Sequence, residues 1–235
     1  MLKMLYSNTI GKGKDLVLLH GWGFNSALFN QLIEQYKNQY RITTIDLPGH
    51  GKSDNVDGGL EQWSEEIIKI LPQNPILLGW SLGGLLAINI ANKVPVSELI
   101  LVASTPKFVQ SNDWQYGIKQ ANFKQFSDTL QLNPSKGLKR FVSLQTRDKS
   151  QLKSLNQSID QYPASMQSLN QGLTILLSSD LINQLSCLSL PIKVILGRKD
   201  TLVPMQIEQW YLAKNISVQL LNTGHLPFLD KEFSL

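Results

Sequence analysis

The sequence predicts an α/β fold in which helices cover both faces of a mainly parallel sheet and a helical lid is inserted between two core strands. Short apolar runs alternate with segments of helical periodicity along most of the 235 residues, a pattern typical of parallel sheets. Between Ser104 and Ser186 only the helical periodicity remains. We therefore expect one structural domain, with its core at residues 1–104 and 187–235 and its lid at 105–186.

Each predicted element follows from its own local pattern. Apolar and β-branched runs predict strands at Asp15–His20, Arg41–Asp46, Pro75–Gly79, Ser97–Ala103, Ile192–Leu196 and Val218–Leu221. Apolar residues at helical spacing predict core helices at Ser26–Tyr36, Leu60–Leu71, Leu82–Val94 and Met205–Ala213. Four more apolar sets predict lid helices around Phe123–Leu130, Leu138–Leu144, Leu152–Tyr162 and Met166–Leu176.

The segment Pro75–Ala91 is the strongest functional signal in the chain. Ser81 stands between Gly79 and Gly83, directly after a predicted strand and directly before a predicted helix. A serine at such a sharp turn adopts a strained backbone conformation with its hydroxyl exposed, which is the geometry of a nucleophile elbow. Small neighbours are needed because the strand and helix backbones approach closely there.

A serine hydroxyl needs a base before it can act as a nucleophile near neutral pH. The chain has three histidines. His20 and His50 precede Ser81 in glycine-rich turns, and we interpret both as structural. His225 follows the apolar run at 218–221 and comes after Ser81, as the chain order Ser, Asp, His requires. We therefore predict His225 as the base.

The histidine in turn needs a buried carboxylate that fixes its tautomer. Asp200 follows the predicted strand Ile192–Leu196 and lies between Ser81 and His225 in the chain. Asp180 is its nearest rival, but no strand leads to it. Asp46 ends a strand yet precedes the serine, and its Pro-Gly turn favours a turn-stabilising role. Asp200 is therefore the predicted third member of the triad.

Backbone N–H groups should stabilise the oxyanion that forms in the reaction. The N–H of Leu82 follows the nucleophile and opens a helix, whose positive end favours the anion. The second donor should come from a loop after an early strand, and the N–H of Trp22 in the turn His20–Gly23 fits. The indoles of Trp22 and Trp80 either form apolar walls for an acyl chain or belong to the core.

Composition favours an enzyme that works without a cofactor in the cytoplasm. Cys187 is the single cysteine, so no disulfide framework exists and a reducing compartment is expected; we interpret this thiol as a loop or packing position. No segment is long and apolar enough to cross a membrane, and the N-terminus lacks a signal-peptide pattern. No Cys/His cluster indicates a metal, and no glycine-rich phosphate loop indicates a nucleotide.

Charge is concentrated in the predicted lid. Between Pro106 and Ser179 there are nine lysines and arginines and four aspartates, a formal +5, whereas the whole chain carries +4. These cations either form a solvated face or attract an acidic partner, since complementary charge speeds and orients association. No motif indicates nucleic-acid binding, and we expect a monomer.

Several motifs together identify a resemblance. LLHGWG, DLPGHGKS, GWSLGG, GRKD and NTGHLPF, in this order, resemble the α/β-hydrolase superfamily across nearly the whole chain. More narrowly, HGWG with GWSLGG, VASTP, the W-x-x-GI segment Trp114–Ile118 and RFVSLQT at 140–146 resemble the pimeloyl-[acyl-carrier-protein] methyl ester esterases of biotin synthesis. The resemblance implies an α/β-hydrolase fold and a Ser-His-Asp carboxylesterase.

The narrower resemblance also implies a carrier-bound substrate. In these esterases, basic lid residues bind the acidic acyl carrier protein, and the matching positions here are Lys136, Arg140 and Lys153. Gln157 stands where a further basic residue is expected. The substrate would contact the following residues: Trp22, Ser81, Leu82, Phe141, Val142, Ser143, Leu144, Gln145 and His225.

Other functions remain open at this level. One alternative is a promiscuous short-chain carboxylesterase or a menaquinone-pathway lyase on the same scaffold, since fold does not fix chemistry. Another is a non-catalytic protein that binds a ligand in the same cavity, although an intact Ser-Asp-His set speaks against it. Only ten residues follow His225, where the family has a further helix, so we expect either a truncation or a different cover for the sheet.

Overall fold

The computed structural model describes residues 4–146 and 148–235 as one seven-stranded sheet with helices around it. Arg147, one of the nine lid cations counted above, lies outside these residues. The strands are β1 Ser7–Gly11, β2 Lys14–Leu19, β3 Tyr40–Ile45, β4 Ile76–Trp80, β5 Glu98–Val102, β6 Ile192–Gly197 and β7 Ser217–Leu221. Their order across the sheet is β1-β3-β2-β4-β5-β6-β7. Every pairing is parallel except that of β1 with β3.

The α/β-hydrolase fold expected from the sequence is confirmed, and so are all six predicted strands, with no end shifted by more than one residue. The antiparallel edge strand β1 was not predicted. Its five residues are all exposed, so its sequence SNTIG lacks the apolar pattern by which buried strands are recognised. By contrast Leu16–Leu19 of β2 and all of β4 are buried on both faces, as their continuous apolar runs indicate.

The predicted core helices are present but shorter. Ser26–Phe29 is a 3-10 turn followed by α1 Asn30–Tyr36, and the other three are α2 Leu60–Ile68, α3 Leu82–Ala91 and α9 Ile207–Ala213. The 3-10 turn begins where Asn25 caps it, because the Asn25 side chain accepts a hydrogen bond from the N–H of Ala27. Nine of the ten residues of α3 are buried, which explains its apolar character all round.

Between β5 and β6 lie the helices α4 Gln120–Leu132, α5 Pro134–Gln145, α6 Lys149–Gln161, α7 Met166–Ser178 and the short α8 Ile182–Ser186. The first four match the four apolar sets of the sequence; α8 was not predicted. Within the described residues, no helix combines the length and apolar character needed to cross a membrane.

The chain after His225 covers part of the core without a further α-helix. Phe228, in the 3-10 turn Pro227–Leu229, is buried against the rings of Phe29 and Trp80. Phe233 is also buried, and its carbonyl accepts a hydrogen bond from the Tyr36 hydroxyl at 3.3 Å. These two aromatic side chains occupy the core beside α1.

Candidate active site

Ser81 stands at the turn between β4 and α3 in a strained conformation. Its φ is 55° and its ψ is −117°, a region that costs a residue other than glycine about 1–3 kcal/mol. Added Cβ atoms at Gly79 and Gly83 would lie 2.3 Å from the carbonyl oxygens of Gly83 and Leu19, respectively. The close approach of strand, turn and helix that the sequence predicts is therefore present.

Two hydrogen bonds hold the backbone of this turn from β5 and the residues after it. The N–H of Ser81 donates to the carbonyl of Val102 at 3.0 Å. The buried hydroxyl of Ser104 donates to the carbonyl of Ser81 at 2.8 Å. Ser104 is itself held by Tyr211, whose buried hydroxyl donates to the Ser104 carbonyl at 3.0 Å. The strained turn is thus fixed by neighbours that are themselves buried.

Asp200 and His225 form a buried pair at the carboxyl ends of β6 and β7. The His225 Nδ1 lies 2.7 Å from Asp200 Oδ2, and both side chains are fully buried. The other carboxylate oxygen of Asp200 accepts the N–H groups of Leu202 and Val203 at 2.7 and 3.1 Å. The carboxylate is therefore fixed from both sides, and it orients the imidazole so that Nε2 is left for another partner.

The backbone of His225 is tied to the nucleophile turn and to the helical segment. Its carbonyl accepts the indole N–H of Trp80, the residue before Ser81, at 2.7 Å. Its N–H donates to the carbonyl of Gln145, the last residue of α5, at 3.0 Å. A Cβ at Gly224 would lie 2.6 Å from that same carbonyl. Only a glycine before His225 permits this approach.

The free nitrogen of the imidazole has no partner. Nε2 of His225 is buried and makes no hydrogen bond within the part of the chain described. No hydrogen bond joins it to the Ser81 hydroxyl, although Trp80 holds the two residues at the same edge of the sheet. Hydrogen bonds of this kind are often long before substrate binds. A buried acceptor without a donor is costly, so it indicates a group kept for chemistry.

The two predicted oxyanion donors also lack partners. Within the described residues, the N–H of Trp22 makes no hydrogen bond. The N–H of Leu82 belongs to the first residue of α3, where a helix has no internal acceptor for it. Gly21, the residue before Trp22, approaches Ser81 closely, because an added Cβ at Gly21 would lie 3.1 Å from Ser81 Cβ. Both amides are therefore available near the serine.

His20 and His50 hold the loop that carries Trp22, in agreement with their interpretation as structural residues. Nε2 of His20 accepts the N–H of Leu47 at 2.9 Å, and Nε2 of His50 accepts the N–H of Gly23 at 3.2 Å. Both imidazoles are therefore neutral acceptors at Nε2. Burial lowers the pKa of His20, and it lowers the pKa of His50 to about 3, with the nearby His20 as a smaller cause.

The two rival aspartates also lie where the sequence analysis put them. Asp46 is buried, and its carboxylate accepts the N–H groups of Ser26 and Lys52 at 2.7 and 2.9 Å, so it stabilises the turn after β3. Asp180 pairs with Lys107 at 2.7 Å and its side chain is 48% exposed. Neither carboxylate contacts a histidine through a hydrogen bond in the described residues.

An apolar cavity opens over Ser81. Its volume is about 330 Å³, at the lower end of the range for small-ligand sites. Apart from Ser81, its inner wall of buried and half-buried residues is apolar and comes mostly from α4, α5 and α7: Phe108, Ile118, Phe123, Phe126, Phe141, Leu173, Leu176 and Leu202. The exposed residues Leu144 and Thr201 also line the cavity. Asn122, Gln125 and Arg140 complete the lining.

Only part of the predicted substrate-contact set lines this cavity. Ser81, Phe141 and Leu144 do. Val142 is buried in the core, Ser143 is exposed and bonded to the carbonyl of Arg140, and the amide of Gln145 is buried and bonded to the carbonyl of Phe141. One helical turn cannot turn five consecutive side chains to one side, so these three lie elsewhere.

The two indoles belong to the core. Trp22 donates its indole N–H to the carbonyl of Leu169 at 2.8 Å and packs edge-on against Phe126 and Phe141. Trp80 is buried between His225 and Phe24. Neither side chain lines the cavity, and neither does that of Leu82 or the imidazole of His225. Trp22 and Leu82 can contribute through their backbone amides.

The predicted docking residues lie on two helices. Lys136 and Arg140 are exposed on α5, and Lys153 is exposed on α6. None of the three forms an ion pair within the described residues. Gln157 is likewise exposed on α6. The three cations therefore remain available to an external anion.

Sequence reasoning missed the residues that position the site from behind. Ser104 is the second residue after β5, and only the hydrogen bond of its buried hydroxyl identifies its role. Tyr211 lies on α9, more than a hundred residues from its partner. The carbonyl of Gln145 acts through the backbone, so its side-chain type carries no signal. The motif VASTP, which contains Ser104, was the one indication in the sequence.

Comparisons with known proteins agree with this geometry. A model of the alpha/beta hydrolase family matches residues 16–233. The pimeloyl-[acyl-carrier protein] methyl ester esterase of Pseudoalteromonas atlantica is 38% identical over 240 residues, 96% of this chain and 93% of that protein. Its counterpart in Aliivibrio salmonicida is 37% identical over 98% of this chain and 92% of that protein. A solved esterase from Exiguobacterium antarcticum matches with a TM-score of 0.86 at 26% identity, over 97% of this chain and 91% of its own.

Proposed function

The chain belongs to the alpha/beta hydrolase family, and we propose that it is a serine carboxylesterase that cleaves the methyl ester of a pimeloyl group attached to an acyl carrier protein. The relatives from Pseudoalteromonas and Aliivibrio carry the name of this activity. In the proposed assignment Ser81 is the nucleophile, His225 the base and Asp200 the orienting carboxylate. Trp22 and Leu82 supply the oxyanion amides.

The buried Asp200–His225 pair is the observation that carries the proposal. The carboxylate has both oxygens occupied by donors, and the imidazole presents an unpartnered, buried Nε2. Such an arrangement serves a base whose proton donor is nearby. The strained turn of Ser81 and the indole of Trp80 bring that donor to the same edge of the sheet.

The first half of the proposed reaction forms an acyl-enzyme. Nε2 of His225 takes the proton of the Ser81 hydroxyl while Ser81 Oγ attacks the ester carbonyl carbon. The carbonyl oxygen gains a negative charge, which the N–H groups of Trp22 and Leu82 stabilise. The bond to the methoxy oxygen then breaks, and His225 returns its proton so that methanol leaves.

The second half repeats the same steps with water. His225 takes a proton from a water molecule, whose oxygen attacks the carbonyl carbon of the acyl-enzyme. The bond to Ser81 Oγ breaks, and the serine regains its proton from His225. The product is the free carboxylic acid. No group beyond water and the ester enters the balance.

Carrier binding and compartment are further parts of the proposal. We take residues 105–186 as a lid over the core of residues 1–104 and 187–235, with the exposed cations of α5 and α6 facing an acidic acyl carrier protein. Among the described residues these cations form no ion pair, which supports this role because paired cations would be less available. The lone Cys187 supports a reducing cytoplasm as the setting.

Replacement of the nucleophile tests the catalytic assignment. Ser81→Ala should lower kcat by about 10⁶-fold if the three residues act as a unit. The measurement is methanol release from the pimeloyl-carrier methyl ester, with circular dichroism to verify folding. A fluorophosphonate should label the wild type and not the variant. Turnover near the wild-type value in Ser81→Ala would remove Ser81 from the mechanism, and an unlabelled wild type would favour a non-catalytic protein.

The substrate assignment has a separate test. The wild type should hydrolyse the carrier-bound methyl ester with a higher kcat/KM than p-nitrophenyl acetate, and it should restore growth without biotin to a strain that lacks the esterase. A preference for the short aryl ester without rescue would instead indicate a promiscuous short-chain carboxylesterase. Both outcomes leave the fold and the triad chemistry in place.

A further inference from the structure

The outer end of the cavity over Ser81 differs in chemistry from its inner wall. Asn122 and Gln125 on α4 and Arg140 on α5 line the cavity and are exposed. The aromatic residues Phe123 and Phe141 beside them are buried. A linear molecule with its ester at Ser81 and its apolar chain on the aromatic wall would therefore bring its far end to three polar side chains.

These three side chains are all hydrogen-bond donors without partners. No hydrogen bond or ion pair is formed by the side chains of Asn122, Gln125 or Arg140 within the described residues. Among the described residues, Arg140 is the one ionisable side chain in the lining of this cavity, and no carboxylate of these residues lines it. A guanidinium binds a carboxylate through two parallel hydrogen bonds. The donor set thus fits an anion with two oxygens.

We propose that the outer end of this cavity binds a free carboxylate, so that monoesters of linear dicarboxylic acids are a second substrate class that needs no carrier. The proposal rests on the ester hydrolysis assigned above. In the reaction, water cleaves the ester bond of the monoester and yields the dicarboxylic acid and methanol. The remote carboxylate takes no part in bond changes and only holds the acyl chain in register.

A matched pair of substrates isolates the remote carboxylate. Monomethyl pimelate and dimethyl pimelate have the same acyl chain and the same scissile ester, and they differ only in the charge of the far end. The wild type should hydrolyse the monoester with a kcat/KM about fivefold higher or more, after correction for the two equivalent esters of the dimethyl compound. This preference should shrink as salt is raised.

A matched pair of variants locates the effect. Arg140→Gln removes the cation from the cavity lining, and the preference for the monoester should fall to about one. Lys139→Gln removes the same charge from the neighbouring exposed residue of α5, which does not line the cavity. It should keep the wild-type preference. Equal losses in both variants would assign the effect to net charge and overturn the subsite.

A binding measurement separates this proposal from the proposed function. Calorimetry with Ser81→Ala, which needs no turnover, should detect tighter binding of monomethyl than of dimethyl pimelate, and Arg140→Gln in that background should abolish the difference. Equal binding of both compounds overturns the carboxylate subsite even if the wild type is an active esterase. Preferential binding with no hydrolysis of either ester by the wild type would support the subsite while overturning the esterase.

Discussion

The side chain of Ser104 decides how the nucleophile turn is held. Its hydroxyl donates to the carbonyl of Ser81, whose φ is 55°, and it adds to the hydrogen bond from the Ser81 N–H to the carbonyl of Val102. An added Cβ at Gly84 would lie 2.1 Å from this hydroxyl oxygen, which shows how closely α3 packs on it. Strained residues persist where their surroundings fix them, and Ser104 is part of those surroundings.

Ser104→Ala should therefore lower kcat by about tenfold with little change in KM, because the Ser81 carbonyl loses one buried hydrogen bond worth about 1–1.5 kcal/mol. Steady-state kinetics with a carrier-bound or p-nitrophenyl ester measures this split. Tyr211→Phe is the matched control, since it removes the next hydrogen bond in the chain. It should lower the melting temperature while kcat stays near wild type. The reverse pattern would make Ser104 a purely structural residue.

At the scale of elements, α5 serves several parts of the site. Phe141 lines the cavity, the carbonyl of Gln145 at its C-terminal end binds the N–H of His225, and Lys136 and Arg140 are exposed along it. The neighbouring α6 carries Lys153 and is joined to the core where Asn25 donates to the carbonyl of Ser158 at 3.0 Å. The cations therefore lie on one helix that contacts both the cavity and the core, α5, and on one that is joined to the core, α6.

Reversal of charge on these helices tests the carrier surface. Lys136→Glu with Lys153→Glu leaves the cavity lining intact and should raise KM for the carrier-bound ester about tenfold or more, because each reversed contact repels an acidic partner. Hydrolysis of p-nitrophenyl acetate should stay near wild type. The control variant Lys12→Glu with Lys14→Glu changes the net charge by the same amount. These residues lie at the amino end of β2, away from the carboxyl ends of the strands where the candidate site lies, so hydrolysis of both substrates should stay near wild type.

If both double variants lower the hydrolysis of the carrier-bound ester equally, long-range charge explains the effect. The proposal of a docking surface on α5 and α6 is then wrong. Equal loss of both substrates in the α5–α6 variant would instead point to damage of the cavity. The two readings are distinguishable because the melting temperature and the small-ester activity report on the core and the cavity separately.

At the scale of the whole molecule, two neutral histidines join the loops after β2 and β3. His20 accepts the N–H of Leu47, and His50 accepts the N–H of Gly23, with the two rings 5.4 Å apart. Protonation of either ring would break its bond and place a charge in a buried site. Burial, opposed in part by Asp46, lowers both pKa values, that of His50 to about 3.

The lowered pKa values set the sign of the pH dependence. Below about pH 6.5 the unfolded chain binds protons that the folded protein does not, so stability is full above this pH and falls as pH drops toward 3. Between pH 6.5 and 5 the free energy of unfolding should fall by about 1.4 kcal/mol per pH unit through His50 alone, whose folded pKa is about 3. The lowered pKa of His20 contributes in the same direction. Urea unfolding at several pH values measures the slope. His50→Gln should flatten it, and an unchanged slope would contradict the assignment.

Much of the candidate site could be predicted, because local sequence patterns indicate the chain order of an elbow serine, a strand-end aspartate and a late histidine. The buried strands could also be predicted from local patterns, since runs such as Leu16–Leu19 are continuously apolar. The exposed edge strand β1 was not predicted, because it is extended through its pairing with β3 and its own residues carry no apolar strand pattern. Three of the five consecutive substrate contacts predicted in α5, Val142, Ser143 and Gln145, do not line the cavity because a helix turns side chains in different directions.

By itself, the sequence determined which residue types could perform the chemistry and which strands would deliver them to one edge of the sheet, since periodicity and chain order are local properties. Only the tertiary structure decided what surrounds them: that Ser104 binds the carbonyl of Ser81, that the carbonyl of Gln145 binds His225, and that the cation of Arg140 lines the cavity over Ser81. These contacts join residues distant in the chain, often through backbone atoms, and side-chain identity carries little information about such contacts.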